Sequence, residues 1–168
     1  YMFHSIRSMT SLDLSNFKVE EVSDFSYMFY NCYNLEYINL DNFVTSSARN
    51  MDYMFYSCQK LRQINLKKFD TSNVLSMESM FQSCSIVENL DLSSFKTTKV
   101  ENMESMFFSM RKLTSLDLSA FETPRLKNME SMFRDMTVIQ RIIFSEKFDT
   151  SSVTNMRYLF LQDKSLTS

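Results

Sequence analysis

The dipeptide Met-Phe recurs along the chain at a fixed distance. Each copy begins 26 residues after the previous one, and Leu159-Phe160 follows after 27: the copies are Met2-Phe3, Met28-Phe29, Met54-Phe55, Met80-Phe81, Met106-Phe107 and Met132-Phe133. A period of this length is typical of repeat proteins, in which one unit recurs and packs on its neighbours. The period therefore constrains the fold more than any other feature.

Each period contains a short segment in which apolar and polar residues alternate. Leu116-Asp117-Leu118 is one example, and the alternation predicts a short half-buried strand. The corresponding segments are Leu12-Asp13-Leu14, Ile38-Asn39-Leu40, Ile64-Asn65-Leu66, Leu90-Asp91-Leu92 and the less regular Ile142-Ile143-Phe144. The sequence thus predicts one strand in each repeat.

A second segment has helical spacing. Met51, Met54, Phe55 and Cys58 lie at i, i+3, i+4 and i+7, which would place them on one face of a helix. The segment follows a residue type favoured at a helix N-cap, namely Asp24, Asn50, Ser76, Asn102, Asn128 or Asn155. We therefore expect a capped helix of about ten residues in each repeat.

Such short strands and helices are marginal alone and become stable when each unit buries the face of the next. The sequence therefore predicts an α/β solenoid of about six coils, each a short parallel strand plus a short capped helix. Residues 1–168 would form a single array. Neither end of that array carries the polar capping unit typical of repeat proteins, so we expect an excerpt of a longer protein.

The strand segment Leu113-x-x-Leu116-x-Leu118 matches the pattern of leucine-rich repeats. The unit Leu90 to Phe107, "LDLSSFKTTKVENMESMF", resembles the 26-residue surface-protein repeat, which is related to the BspA-like leucine-rich repeats of bacterial and protist surface proteins. The resemblance implies a cell-surface or secreted binding and adhesion module. One departure is the absence of glycine, so Asn, Ser or another residue must form the turn after each helix.

Composition argues against several classes of function. The formal net charge is −2 and the charges are mixed, which gives no basic stripe for nucleic acid. The chain has no glycine for a phosphate-binding loop, and His4 is its single histidine. Its apolar runs are too short to span a membrane. We therefore expect no enzymatic activity and no cofactor.

The sulfur-containing residues fall in columns. Cys32, Cys58 and Cys84 are 26 residues apart, and we expect buried, inert thiols. A Cys-x-x-Cys motif is absent, so zinc is weakly supported. Met51 and Met54 exemplify a Met-x-x-Met pattern that could hold copper(I), but the neighbouring Phe favours core packing. No metal site is expected.

Two sets of outward residues are candidate binding surfaces. The polar strand column comprises Asp13, Asn39, Asn65, Asp91 and Asp117. A linear column does not converge on one point as calcium requires, so a solvated face is the alternative to a binding strip. The aromatic set comprises Tyr27, Tyr30, Tyr33, Tyr37, Tyr53, Tyr56 and Phe108. Clustered exposed aromatics are typical of interfaces, whereas scattered surface aromatics need no function.

These features favour a non-enzymatic protein-interaction or adhesion module of a cell-surface or secreted repeat protein. It would bind a protein partner, neighbouring repeats or a glycan, with no nucleic acid and no membrane span in this segment. The alternative is a structural scaffold element packed inside a larger intracellular or cytoskeletal assembly. The absence of an Asn-x-Ser/Thr sequon and the unpaired cysteines favour that alternative.

Overall fold

The computed structural model describes residues 2–168, and its regular secondary structure consists of four short strands. They are β1 (Ser11–Asp13), β2 (Tyr37–Asn39), β3 (Ser115–Leu118) and β4 (Arg141–Phe144). β1 pairs with β2 and β3 with β4, both in parallel, forming two separate two-stranded sheets. Within residues 2–168, the strand predicted for each repeat is therefore formed in four repeats and is missing at residues 64–66 and 90–92.

The prediction of an α/β solenoid with capped helices is wrong, and so is its assignment to the leucine-rich repeats. Residues 2–168 contain no helix, and the strands do not form one continuous sheet. The segments predicted to be helical consist of consecutive turns instead. Among the described residues, no helix is long and apolar enough to cross a membrane.

Left-handed backbone explains why no helix forms. In the segment that begins at Asn102, Ser105 has φ of 53° and Ser109 has φ of 63°. A right-handed helix requires negative φ at every residue, so two left-handed residues four apart interrupt it in each turn. The same positions are left-handed in the other repeats, with Tyr27 and Asn31 as one such pair. The residues Ser, Asn and Asp at the second of these positions confirm that non-glycine residues form this turn.

The amides of these turns alternate between two kinds of acceptor. Met106 and Phe108 donate to the carbonyl three residues earlier, at 3.3 and 3.1 Å, which closes local turns. The amide of Phe107 instead donates to the carbonyl of Met132 in the next repeat at 3.0 Å. Each repeat is thereby bonded to its neighbour through the backbone, and the apolar i, i+3, i+4, i+7 residues still point inward.

The residues predicted to cap helices form a bonded row between repeats. Parallel bridges join them in succession: Asp24 to Asn50, Asn50 to Ser76, Ser76 to Asn102, Asn102 to Asn128 and Asn128 to Asn155. Asn102 Oδ1 accepts from the amide of Glu104 at 3.0 Å, and its Nδ2 donates to Glu78 Oε2 of the preceding repeat at 3.0 Å. The asparagine therefore shapes a turn and ties two repeats together.

A second row consists of buried threonines. Thr97 Oγ1 donates to the carbonyl of Glu122 at 2.8 Å and accepts from the amide of Glu122 at 3.0 Å. Thr45 and Thr71 make the same pair of bonds to Asp70 and Lys96. These hydroxyls are fully buried, so each satisfies a peptide group that would otherwise lack a partner.

The phenylalanines of the Met-Phe pairs form a file through the core. Consecutive ring centroids lie 5.2 to 6.1 Å apart from Phe3 to Phe133, and the rings are within 18° of parallel. Stacked aromatic pairs contribute about 0.5–1.5 kcal/mol beyond the burial of their area. In-register stacking of the repeats therefore places identical residues in contact, and this contact explains why the sequence repeats them.

Candidate functional site

Four of the predicted aromatic residues form two stacked pairs on the turn side of the molecule. The ring centroids of Tyr27 and Tyr53 are 4.8 Å apart, and those of Tyr30 and Tyr56 are 4.7 Å apart, with 9° between the planes in both pairs. Each pair joins equivalent positions of adjacent repeats. We call these four residues the tyrosine patch.

The two columns of the tyrosine patch also touch each other. Centroid distances are 5.3 Å between Tyr27 and Tyr30 and 5.6 Å between Tyr53 and Tyr56. His4 stacks on Tyr30 at 5.0 Å and extends the patch toward the N-terminus. All four tyrosines are half-buried, so much of each ring is covered by its neighbours and the remaining edges face solvent.

Burial raises the pKa of two phenols in the tyrosine patch, and a hydrogen bond adds to the effect at Tyr53. The Tyr53 hydroxyl donates to Glu78 Oε1. Burial is the main cause that raises the pKa of Tyr53 far above its usual value, followed by the bond to Glu78 and the charge of that carboxylate. Burial also raises the pKa of Tyr56. The phenols of Tyr53 and Tyr56 therefore remain protonated at neutral pH and present hydroxyl groups.

The other three predicted aromatics lie in different surroundings. Arg7 lies over the ring of Tyr33, 5.8 Å from its centroid. Tyr37 lies on β2 with 53% of its surface exposed, and its ring stacks on no other ring among residues 2–168. Phe108 contacts the Arg134 guanidinium at 5.3 Å, and the same guanidinium lies 5.5 Å from the ring of Tyr158.

The residues of the polar strand column each stabilise a turn at the end of a strand segment. Each member accepts, through Oδ1, the amide two residues later, as Asp117 does from Ser119 at 2.8 Å, and the column comprises Asp13, Asn39, Asn65, Asp91 and Asp117. The side-chain and backbone hydrogen bonds from Ser119 lower the pKa of Asp117. These residues turn the chain where each strand segment ends, and their role in binding stays a prediction.

The cysteines lie where the sequence analysis placed them. Cys32, Cys58 and Cys84 are free and buried, and this confirms the prediction of buried thiols. The Cys58 thiol donates to the carbonyl of Phe29 at 3.2 Å. Burial raises the pKa of all three thiols, so they are poor nucleophiles. Within residues 2–168, His, Cys, Asp and Glu form no group of three able to hold a metal ion.

Comparison with known proteins gives one family. The family described as "Mycoplasma protein of unknown function, DUF285" matches residues 1–115, 31–143 and 108–168. The chain belongs to this family. The match agrees with the predicted surface-type repeat family, but it does not support the BspA-like leucine-rich repeat specifically. A search of curated proteins found no match. Membership therefore establishes a repeat family without naming an activity.

Proposed function

We propose that this chain is a non-enzymatic protein-interaction or adhesion module of a cell-surface or secreted repeat protein. Membership in the DUF285 repeat family supports a repeat module. The tyrosine patch is the observation that carries the proposal. Tyrosine is enriched at the energetic centres of protein interfaces because it offers a large, rigid apolar surface together with a hydroxyl group.

Three repeats lack tyrosine at the first column of the patch, whereas Tyr158 keeps it in the last repeat. Ser79, Ser105 and Ser131 occupy the column that begins with Tyr27 and Tyr53, at nearly the same positive φ. The repeat therefore does not need tyrosine in order to fold. Tyrosine at φ near 58° is also a costly choice for a non-glycine residue. That cost is consistent with a contribution to binding.

The experiment replaces patch residues with those that the chain itself uses at the same positions. The triple variant Tyr27→Ser, Tyr53→Ser and Tyr56→Gln copies Ser79 and Gln82. The matched control is Tyr158→Ser, because Tyr158 has φ of 57° and lies outside the patch. Fluorescently labelled protein would be assayed on intact host cells and on a panel of purified extracellular proteins by surface plasmon resonance.

We expect the triple variant to lose at least about tenfold in affinity while Tyr158→Ser retains wild-type binding, since interface tyrosines often contribute 2 kcal/mol or more. Equal binding by the triple variant and the wild type would overturn the tyrosine patch as the interface. Protection of the chain from protease added to intact source cells would overturn surface exposure and favour the intracellular scaffold.

A further inference from the structure

The strand side of the molecule opens in its middle. Between β2 and β3, residues 62–66 and 88–92 form no strand, although they are equivalent to the strands on either side. The amide of Leu14 donates to the carbonyl of Asn39 at 3.0 Å, but no such bond joins Leu40 to Asn65 within the described chain. The amide of Arg62 still donates to the carbonyl of Glu36 at 3.2 Å, but residues 63–66 and 89–92 donate no backbone hydrogen bond to a neighbouring repeat within the described chain.

Three clefts lie along the strand side, two of them at the unpaired repeats and one over β1 and β2, and Gln63 lines all of them. Two clefts have volumes of about 420 Å³ and the third about 260 Å³. One extends from Gln63 toward Lys112, one toward Lys67 and one toward Tyr37. The two larger volumes fall within the usual range for small-molecule sites. The three clefts share the Gln63 side chain in their linings, and we call this shared surface the Gln63 groove.

Four side-chain amides line the Gln63 groove: Asn39, Gln63, Asn65 and Asn89. Asn39 and Asn65 already bond to Asp41, so Gln63 and Asn89 are the amides left for a ligand. An amide presents both donors and an acceptor, so a row of amides suits a ligand with many hydroxyl groups. Gln63 is exposed and makes no hydrogen bond within residues 2–168. Its whole bonding capacity is therefore available to a ligand.

The charges of the groove balance. Three acidic residues and three basic residues line it: Asp13, Asp41, Glu88, Arg62, Lys67 and Lys112. A groove for phosphate, sulfate or nucleic acid would carry an excess of positive charge. The balance instead favours a ligand without net charge.

Tyr37 provides an apolar platform at one end of the groove. Its ring is 53% exposed and lies beside Asn39 and Gln63 in the lining of the third cleft. Unlike the rings of the tyrosine patch, it is not stacked on another ring in the described chain, so its face is accessible. An exposed ring face next to amides matches a pyranose, which has an apolar face and polar edges.

We propose that the Gln63 groove binds a neutral oligosaccharide, with Tyr37 contacting the apolar face of one sugar and the amides of Gln63 and Asn89 bonding to its hydroxyls. The site is distinct from the tyrosine patch and would operate whether or not that patch binds a protein. A module with both sites would hold a glycosylated surface through its sugar chains.

The test measures direct binding of the intact chain to a panel of neutral linear and branched oligosaccharides, together with sulfated and sialylated glycans and unglycosylated peptides. Binders would be titrated by NMR, following the backbone amides of residues 37–39, 63–65 and 89–91. The variants are Tyr37→Ala and Gln63→Ala. Gln140→Ala is the matched control, since Gln140 is an exposed glutamine outside the groove.

We expect at least one neutral oligosaccharide to bind, to shift the groove amides and to lose tenfold or more in affinity with either variant, while Gln140→Ala binds normally. The tyrosine-patch triple variant should bind the same sugar as well as the wild type does, which separates this result from the protein-binding proposal. The proposal is overturned if no neutral glycan on the panel binds, if only charged glycans or peptides bind, or if both groove variants retain full affinity.

Discussion

The turn side and the strand side of each repeat differ in how they join their neighbours. Outside the strand segments, in the part of each repeat that we call the turn side, the threonine row, the asparagine row and the alternating turn amides connect each repeat to the next. On the strand side, regular pairing is confined to β1 with β2 and β3 with β4. The turn side therefore carries the cohesion of the stack, and the strand side is free to vary its surface.

Among the substitutions that compare the two sides, we expect the largest loss of stability at the threonine row. Thr97→Val removes a hydroxyl that pairs with both the amide and the carbonyl of Glu122, and leaves two peptide groups without partners. We expect a loss of about 3 kcal/mol in the free energy of unfolding, measured by urea denaturation. Thr114→Val on the strand side alters an exposed side chain and should change stability by less than about 0.5 kcal/mol. Equal losses would contradict the comparison.

A smaller difference is expected between two asparagines that make similar bonds. Asn102 is half-buried on the turn side and joins Glu104 to Glu78, whereas Asn65 is exposed on the strand side. Asn102→Ala should cost about 1.5 kcal/mol and Asn65→Ala about 0.5 kcal/mol, because water replaces the bonds of an exposed group. Thermal unfolding followed by circular dichroism would rank the two variants, and a reversed order would refute the assignment.

The sign of a glycine substitution tests the left-handed turns. Ser105→Gly should raise stability by about 0.5 kcal/mol, because Ser105 has φ of 53° and glycine adopts this conformation without steric cost. Ser115→Gly, in β3, should lower stability by about 0.5 kcal/mol. If residue 105 were helical, glycine would instead destabilise it by about 1 kcal/mol. Chemical denaturation of both variants distinguishes these cases.

The smallest effect is expected on the pH dependence of stability, through Asp163. This residue occupies the column of the cysteines in the last repeat. Its Oδ1 accepts from the amide of Met136 at 2.8 Å, and its Oδ2 is buried without a partner. Burial raises its pKa from 3.8 to about 6. The folded state therefore binds this proton more tightly than the unfolded state does, and the resulting stability is present below pH 4 and is lost as the pH rises through 6.

Asp163→Asn keeps the acceptor for Met136 and removes the charge. We expect this variant to be more stable than the wild type at pH 7, with a flatter dependence of stability on pH between 4 and 7. Thermal melts across that range would check it. An unchanged pH profile would show that Asp163 does not titrate in the folded protein.

The 26-residue period and the inward position of most Met and Phe residues followed from the sequence, because in-register stacking brings equivalent positions into one column. The exceptions lie in the first and last repeats: Met2, Phe17, Phe144, Met156 and Phe160 are exposed. The prediction of a helix was wrong because the i, i+3, i+4, i+7 spacing does not distinguish a helix from consecutive turns. In such turns an amide donates to the carbonyl three residues earlier, and the same residues still point inward. The left-handed positions carry no consistent residue type, since Ser105 corresponds to Tyr27 and Tyr53 in other repeats, so the sequence gives no clear signal that distinguishes the two. The threonine row was also predictable from its period, at Thr45, Thr71, Thr97 and Thr123.

The candidate sites were predictable only in part. Placing Tyr27 with Tyr53 and Tyr30 with Tyr56 required only the period, and the structure brings these pairs together. Tyr37 lies apart from these tyrosines because it belongs to β2, and predicting this required knowing which segments form strands. The sequence could not show this, because residues 62–66 have the same alternation as β2 and yet form no strand.

The account rests on turns that bond across repeats, and the hydrogen bond of the Phe107 amide tests it most directly. Scalar coupling through hydrogen bonds, measured by a long-range NMR correlation between amide nitrogen and carbonyl carbon, identifies the acceptor of each amide. The account predicts a cross-peak between the Phe107 nitrogen and the Met132 carbonyl carbon of the next repeat. A cross-peak to the carbonyl carbon of Met103, four residues earlier, would show a helix and contradict it.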